Sequence, residues 1–223
     1  MYRSRKNSGG AGISNFQMTQ VRFKIGCLVL TLLVAGIASA WGQDAEAYKV
    51  YDAVVRHMFR DGITRFDMNA KIDQIVIRDR TNSNYASGSS KENWEEVKGR
   101  LPGLRDETIA DYESVRTKEA QLELKLDIPF KYVFITDKRL GEIFGDPKQY
   151  DRSFDYWAIF KKAYPGSAGY NSFSRVGFDK ARRNALVYFV NWCGELCGTG
   201  SYVYIQKGEK GWVVKEAAGM WIS

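Results

Sequence analysis

The chain has 223 residues, with 33 Lys and Arg against 26 Asp and Glu, a formal net charge of +7. Five of the basic residues (Arg3, Arg5, Lys6, Arg22, Lys24) and none of the acidic ones lie in the first 40 positions, so residues 41–223 hold 28 basic and 26 acidic residues, net +2. That balance removes the charge argument for nucleic-acid binding, and with His57 as the single histidine the chain lacks the ligand set of a zinc site.

Residues 1–17 are polar and Gly/Ser-rich, and read as an overlong gene start without structure. Met18–Ala40 then reads as a complete secretory signal. Arg22 and Lys24 form its positive region, Ile25–Ile37 its apolar region, and Ala38-Ser39-Ala40 its small-residue cleavage site. The apolar run of 13 residues is short of the roughly 18–20 that span a bilayer. Cys27 stands at its start rather than its end, which argues against a lipid anchor. Cleavage is expected between Ala40 and Trp41, with export to the periplasm or beyond and membrane contact only during export. Residues 41–223 are then one domain, long enough to bury a core.

Along that domain, 44–60 predicts an amphipathic helix capped by Asp44, with Tyr48, Tyr51, Val55, Met58 and Phe59 on one stripe. His57 falls on its polar side. Residues 71–79 predict a strand, and 80–91 a polar loop. A short helix is expected over 92–98, then a break at Pro102-Gly103. Another is expected over 108–120, with Thr108 as hydroxyl cap and Ile109, Tyr112 and Val115 inward. Residues 130–136 predict a strand, Asp137 the cap of a short helix closed by Gly145, and 154–163 a further helix.

From residue 172 the period becomes two. Ser172–Phe178, Ala185–Trp192, Ser201–Lys207 and Trp212–Glu216 predict four strands. The second is apolar on both sides, as a central, doubly covered strand must be. Gly208–Gly211 predicts a hairpin turn. The expected class is α+β: N-terminal helices packed on one face of an antiparallel sheet, with a C-terminal four-stranded meander.

The residues Trp157…Phe160…Tyr164-Pro165-Gly166-Ser167, Phe173-Ser174-Arg175-Val176-Gly177-Phe178, Ala185-Leu186-Val187-Tyr188, Cys193-Gly194…Cys197-Gly198-Thr199-Gly200 and Gly211-Trp212…Trp221-Ile222-Ser223 resemble a family of uncharacterised secreted bacterial proteins. Tyr48, Tyr51 and Ile75–Asp79 fit the same pattern. The resemblance implies secretion and a common fold, and nothing about substrate.

After cleavage two cysteines remain, Cys193 and Cys197. An even number in an oxidising compartment predicts a disulfide. A redox site would want C-x-x-C at a helix start, whereas this C-x-x-x-C lies between strands. The glycines of that loop, Gly194, Gly198 and Gly200, allow either a tight strand connection or an anion-binding loop; no helix follows, and no Gly-Lys-Ser/Thr ending is present. Arg175 is expected in a structural ion pair, with ligand anchoring as the second reading. Tyr188, Trp192, Tyr202 and Tyr204 are core if buried and a stacking platform if exposed. No G-x-S-x-G elbow surrounds any serine. Glu195 and His57 are the candidate acid–base residues, with Asp155 or Asp179 as partners for Glu195.

These features lead to an exported, non-enzymatic binding module without metal or organic cofactor. Its partner is an envelope or extracellular peptide, protein or glycan, held near Cys193–Gly200, Arg175 and the aromatic strands. The alternatives are an envelope-polymer hydrolase using Glu195 or His57, and a structural or inhibitor-like protein.

Overall fold

The computed structural model describes residues 44–60, 72–82, 93–145 and 154–223, all within one compact unit, Trp41–Ser223. The proposed signal and its Ala40–Trp41 cleavage site lie outside the described residues, as does most of the polar loop expected over 80–91.

Helix α1 (Ala45–Met58) begins where expected, with the Asp44 carboxylate accepting from the Ala47 N–H. Its apolar stripe, Tyr48, Tyr51, Val55 and Met58, is buried, with Phe59 just beyond it. Strand β1 (Ile75–Arg78) follows, then α2 (Trp94–Arg100), capped by Asn93, and α3 (Asp106–Val115). Thr108 does not cap α3. It is the third residue of the helix and fully buried, because α3 starts two residues before the hydroxyl and lacks a side-chain cap. Asp111 is not simply solvated either: its carboxylate accepts from the Phe178 N–H at 2.7 Å.

Strand β2 (Tyr132–Ile135) leads into α4 (Asp137–Phe144), whose cap is the Thr136 hydroxyl rather than Asp137. Helix α5 (Tyr156–Ala163) is capped by Asp155. The expected strand Ser172–Phe178 divides into β3 (Tyr170–Phe173) and β4 (Gly177–Phe178). Ser174 makes the division. Its hydroxyl takes the Tyr188 N–H, turning the chain out of the ladder. Strands β5 (Asn184–Gly194), β6 (Cys197–Gly208) and β7 (Gly211–Ile222) complete the chain.

The fold is α+β. The strands form one sheet in the order β2-β1-β3-β5-β6-β7, with β4 beside β5. From β3 onward the pairing is antiparallel and β5-β6-β7 is a meander. The sheet as a whole is mixed rather than antiparallel, since β1 runs parallel to both β2 and β3. Parallel neighbours need long crossovers, and the helices between β1, β2 and β3 supply them.

Helices also cover both faces rather than one. Strand β5 dictates this: it is buried from Asn184 through Asn191, with apolar side chains pointing both ways. On one face, α1 packs on Ile75, Ile77, Phe173, Val187, Phe189 and Val203. On the other, two separate groups form. Helices α2 and α3 cover Leu186, Tyr188, Tyr202 and Tyr204, while α4 and α5 cover Val76 and Ile135.

Two contacts make this arrangement testable. A Cβ on Gly177 would lie 2.4 Å from the Tyr112 Cα, so α3 approaches β4 backbone to backbone. Gly177→Ala is expected to cost about 1–3 kcal/mol, lowering the melting temperature by about 2–4 °C per kcal/mol; an unchanged midpoint would contradict that approach. Glu46 ties α1 to the β6–β7 hairpin, accepting from Lys207 and from the Trp212 indole N–H at 2.8 Å. The Lys207 bond, aided by Trp212, lowers the Glu46 carboxyl from 4.5 to about 2. A carboxyl depressed in the folded state stabilises fully above its unfolded value, and that contribution disappears as pH falls from about 4.5 towards 2. Denaturant melts of wild type and Glu46→Gln should therefore differ at pH 7 and converge near pH 2. A constant difference over that range would rule the anchor out.

Candidate functional site

The two helical groups on one face do not meet. Between them a cleft opens over Tyr170 of β3 and Trp192 of β5, the partly exposed ends of otherwise buried strands, in two adjoining recesses. The polar recess, about 190 Å³, is lined by Arg78, Asn82, Asp137, Leu140, Tyr170, Ser172 and Trp192. The aromatic recess, about 440 Å³, is lined by Phe144, Trp157, Glu195 and Leu196 and shares Tyr170 and Trp192 with the first. Together they are of the size that takes a small organic ligand.

Local structure explains each wall. Arg78 ends β1, and alternation along that strand places it on the face of Val76, beneath α4. Asp137 is the first residue of α4, immediately after β2, the parallel neighbour of β1. The guanidinium reaches the carboxylate through both oxygens, Nε to Oδ1 at 2.5 Å and Nη2 to Oδ2 at 2.8 Å. Such a bidentate pair fixes orientation as well as charge. The Arg78 hydrogen bond holds the Asp137 carboxyl below its ordinary range, against the opposing effect of burial. Asn82 is held by its backbone N–H to the Phe173 carbonyl, 2.7 Å.

On the floor, Tyr170 pairs with Trp192 and Ser172 with Val190 across β3 and β5. Ser172 is 2 % exposed. Among the described residues its hydroxyl has no hydrogen-bond partner, an expensive state for a buried polar group unless something else satisfies it. In the aromatic recess the Trp157 and Tyr170 rings are nearly parallel, 15° apart with centroids at 6.2 Å.

The disulfide Cys193–Cys197 is present, with its Cα atoms 5.0 Å apart. It closes a two-residue hairpin, Glu195-Leu196, between β5 and β6. The tip is open: Leu196 is 87 % exposed. The hairpin forms the outer wall of the aromatic recess.

Several residues singled out from the sequence sit here, and others do not. Trp192, Gly194 and Glu195 line the cleft. Gly198 and Gly200 do not form an anion loop. A Cβ at Gly198 would lie 2.8 Å from the Trp192 ring, and one at Gly200 2.2 Å from the Trp221 indole nitrogen, so these glycines make room for tryptophans across the strand. Tyr202 and Tyr204, 0 % and 1 % exposed, are core under α2 and α3 and not a stacking platform. Arg175 lies half-buried in the link between β3 and β4 and lines neither recess. The expected structural ion pair is not formed with any described residue. His57 is on α1, whose buried stripe packs on the opposite sheet face, so it does not join Glu195. Asp179 is taken up by the Arg183 and Asn184 N–H groups and the Asn184 side chain. Asp155 caps α5.

Arg78, Asp137, Ser172, Tyr170 and Trp157 were not singled out as site residues. One signal was available: an arginine on the apolar side of a short alternating strand needs a buried partner.

Among the described residues, no group of three or more His, Cys, Asp or Glu is placed to hold a metal, and no helix is long and apolar enough to cross a membrane. Comparison of the chain with protein families, curated proteins and solved structures finds no match.

The disulfide closes a very short loop, so its contribution falls at the low end of about 2–4 kcal/mol. Reduction is expected to lower the melting temperature by several degrees and to change the near-ultraviolet circular dichroism of Trp192 while β-sheet content persists. An identical melt with and without reductant would contradict a staple at this position.

Proposed function

We propose that this protein is an exported, non-enzymatic binding module whose ligand occupies the cleft between the two helical groups. One observation carries the reading: Ser172, almost fully buried and with no hydrogen-bond partner for its hydroxyl among the described residues, lines a recess that also presents Arg78, Asp137 and aromatic ring faces. Convergent polar groups set in an apolar-walled concavity are the mark of a ligand site. Export rests on the Met18–Ala40 leader and on the resemblance to secreted bacterial proteins. The Cys193–Cys197 bond is consistent with an oxidising compartment.

The hydrolase reading finds less support. A general acid needs a carboxyl whose affinity for protons is raised, whereas Asp137 is held ionised by Arg78. Among the described residues the carboxyl clearly raised is that of Asp52, at about 6 through burial; it belongs to α1 and lines neither recess.

Thermal-shift measurements with soluble envelope fragments, namely muropeptides, short peptides and oligosaccharides, test the proposal. At least one class is expected to raise the melting temperature of wild type and to leave Trp192→Ala unmoved. A shift of equal size in that variant would place the ligand elsewhere. No shift with any class would overturn the proposal.

A further inference from the structure

We infer that the cleft takes an uncharged saccharide, with one sugar ring in the polar recess and its neighbour against the aromatic recess. This rests on the cleft being the binding site and names the chemistry of its ligand.

Charge is the first argument. Among the described residues, Arg78 and Asp137 are the charged residues lining the polar recess, and they are paired through two hydrogen bonds, with the Arg80 guanidinium also 3.4 Å from the Asp137 carboxylate. A site for phosphate or carboxylate would leave its cation unpaired, and a site for an ammonium group its anion. At the aromatic end, Glu195 lines the recess and no cation does so among the described residues, which disfavours anionic ligands further.

Hydrogen bonding is the second. The recess offers carboxylate acceptors on Asp137, a guanidinium donor on Arg78, and a serine hydroxyl that both donates and accepts. A ligand satisfying all three must donate and accept from closely spaced atoms. Adjacent ring hydroxyls do so. The Ser172 hydroxyl, 2 % exposed and without a partner among the described residues, gains in the complex the bond it lacks.

Shape is the third. Trp157 and Tyr170 lie nearly parallel, and Trp192 stands between the two recesses. Flat aromatic faces beside polar groups suit a ring with an apolar C–H face and a polar edge, burying the former while the latter is hydrogen-bonded. A peptide of extended backbone would instead seek a free strand edge, and both β3 and β5 already have strand partners on each side.

Isothermal titration of the full mature domain with chitotriose, maltotriose and cellotriose tests this, with trigalacturonic acid and trialanine as the charged and peptide probes. At least one neutral trisaccharide is expected to bind saturably, with an affinity unchanged between low and high salt. Asp137→Asn is expected to weaken it about tenfold, the loss of roughly one charge-assisted hydrogen bond. Trp157→Ala, at the opposite end and outside the ion pair, is expected to weaken the trisaccharide more than the matching monosaccharide. Binding of the uronic acid or the peptide alone, lost in Trp192→Ala, would overturn the saccharide assignment and leave the site standing. Absence of binding by every probe would overturn both.

Discussion

Strand β5 has to be hidden on both sides, and the architecture follows from that requirement. Asn184 to Asn191 are all buried, and a run apolar on both faces gains its stability only if each face is covered. One face is met by α1, a single amphipathic helix. The other is met by two short helical pairs, α2–α3 and α4–α5, that come from different crossovers and pack on different strands. Two covers that approach from opposite ends leave a seam, and the seam lies over β3 and β5. The cleft is therefore a by-product of how the second face is covered, furnished with polar groups where an apolar core would otherwise continue.

The furnishing is specific. Alternation alone would put an apolar residue at position 78, beside Val76 under α4; the chain has arginine, and Asp137, the first residue of α4 beyond the parallel strand β2, pairs with it. Breaking such a pair by removing one partner is costlier than never having had it. Its presence at the rim of a recess, next to a Ser172 hydroxyl without a partner among the described residues, is economical as ligand recognition and hard to justify as packing. The disulfide hairpin completes the wall with a rigid, exposed tip, and Gly198 and Gly200 let Trp192 and Trp221 lie across β6.

Much of this was legible in the chain. The α1 stripe, the doubly apolar β5, the Gly208–Gly211 turn and the Cys193–Cys197 bond each declare themselves within a dozen residues, the range over which periodicity and turn chemistry act. What was not legible depends on distant partners. Strands β1 and β2 have four residues each, too few to reveal whether a neighbour runs parallel. Tyr202 and Tyr204 suit a platform or a core equally until α2 and α3 are placed over them. Asp137 reads as a helix cap because aspartate is a favoured cap residue, although Thr136 one position earlier takes that place, and its pairing with Arg78, 59 residues away, has no local trace.

Backbone hydrogen exchange under native conditions tests the governing role of β5 most directly. If β5 is the doubly covered centre, amides of Leu186 to Val190 should exchange only through global unfolding, at the slowest rates in the molecule, with those of the edge strand β7 orders of magnitude faster. Exchange of the β5 amides as fast as those of β7 would contradict the account, since it would mean that one of the two covers is not a lasting part of the folded state.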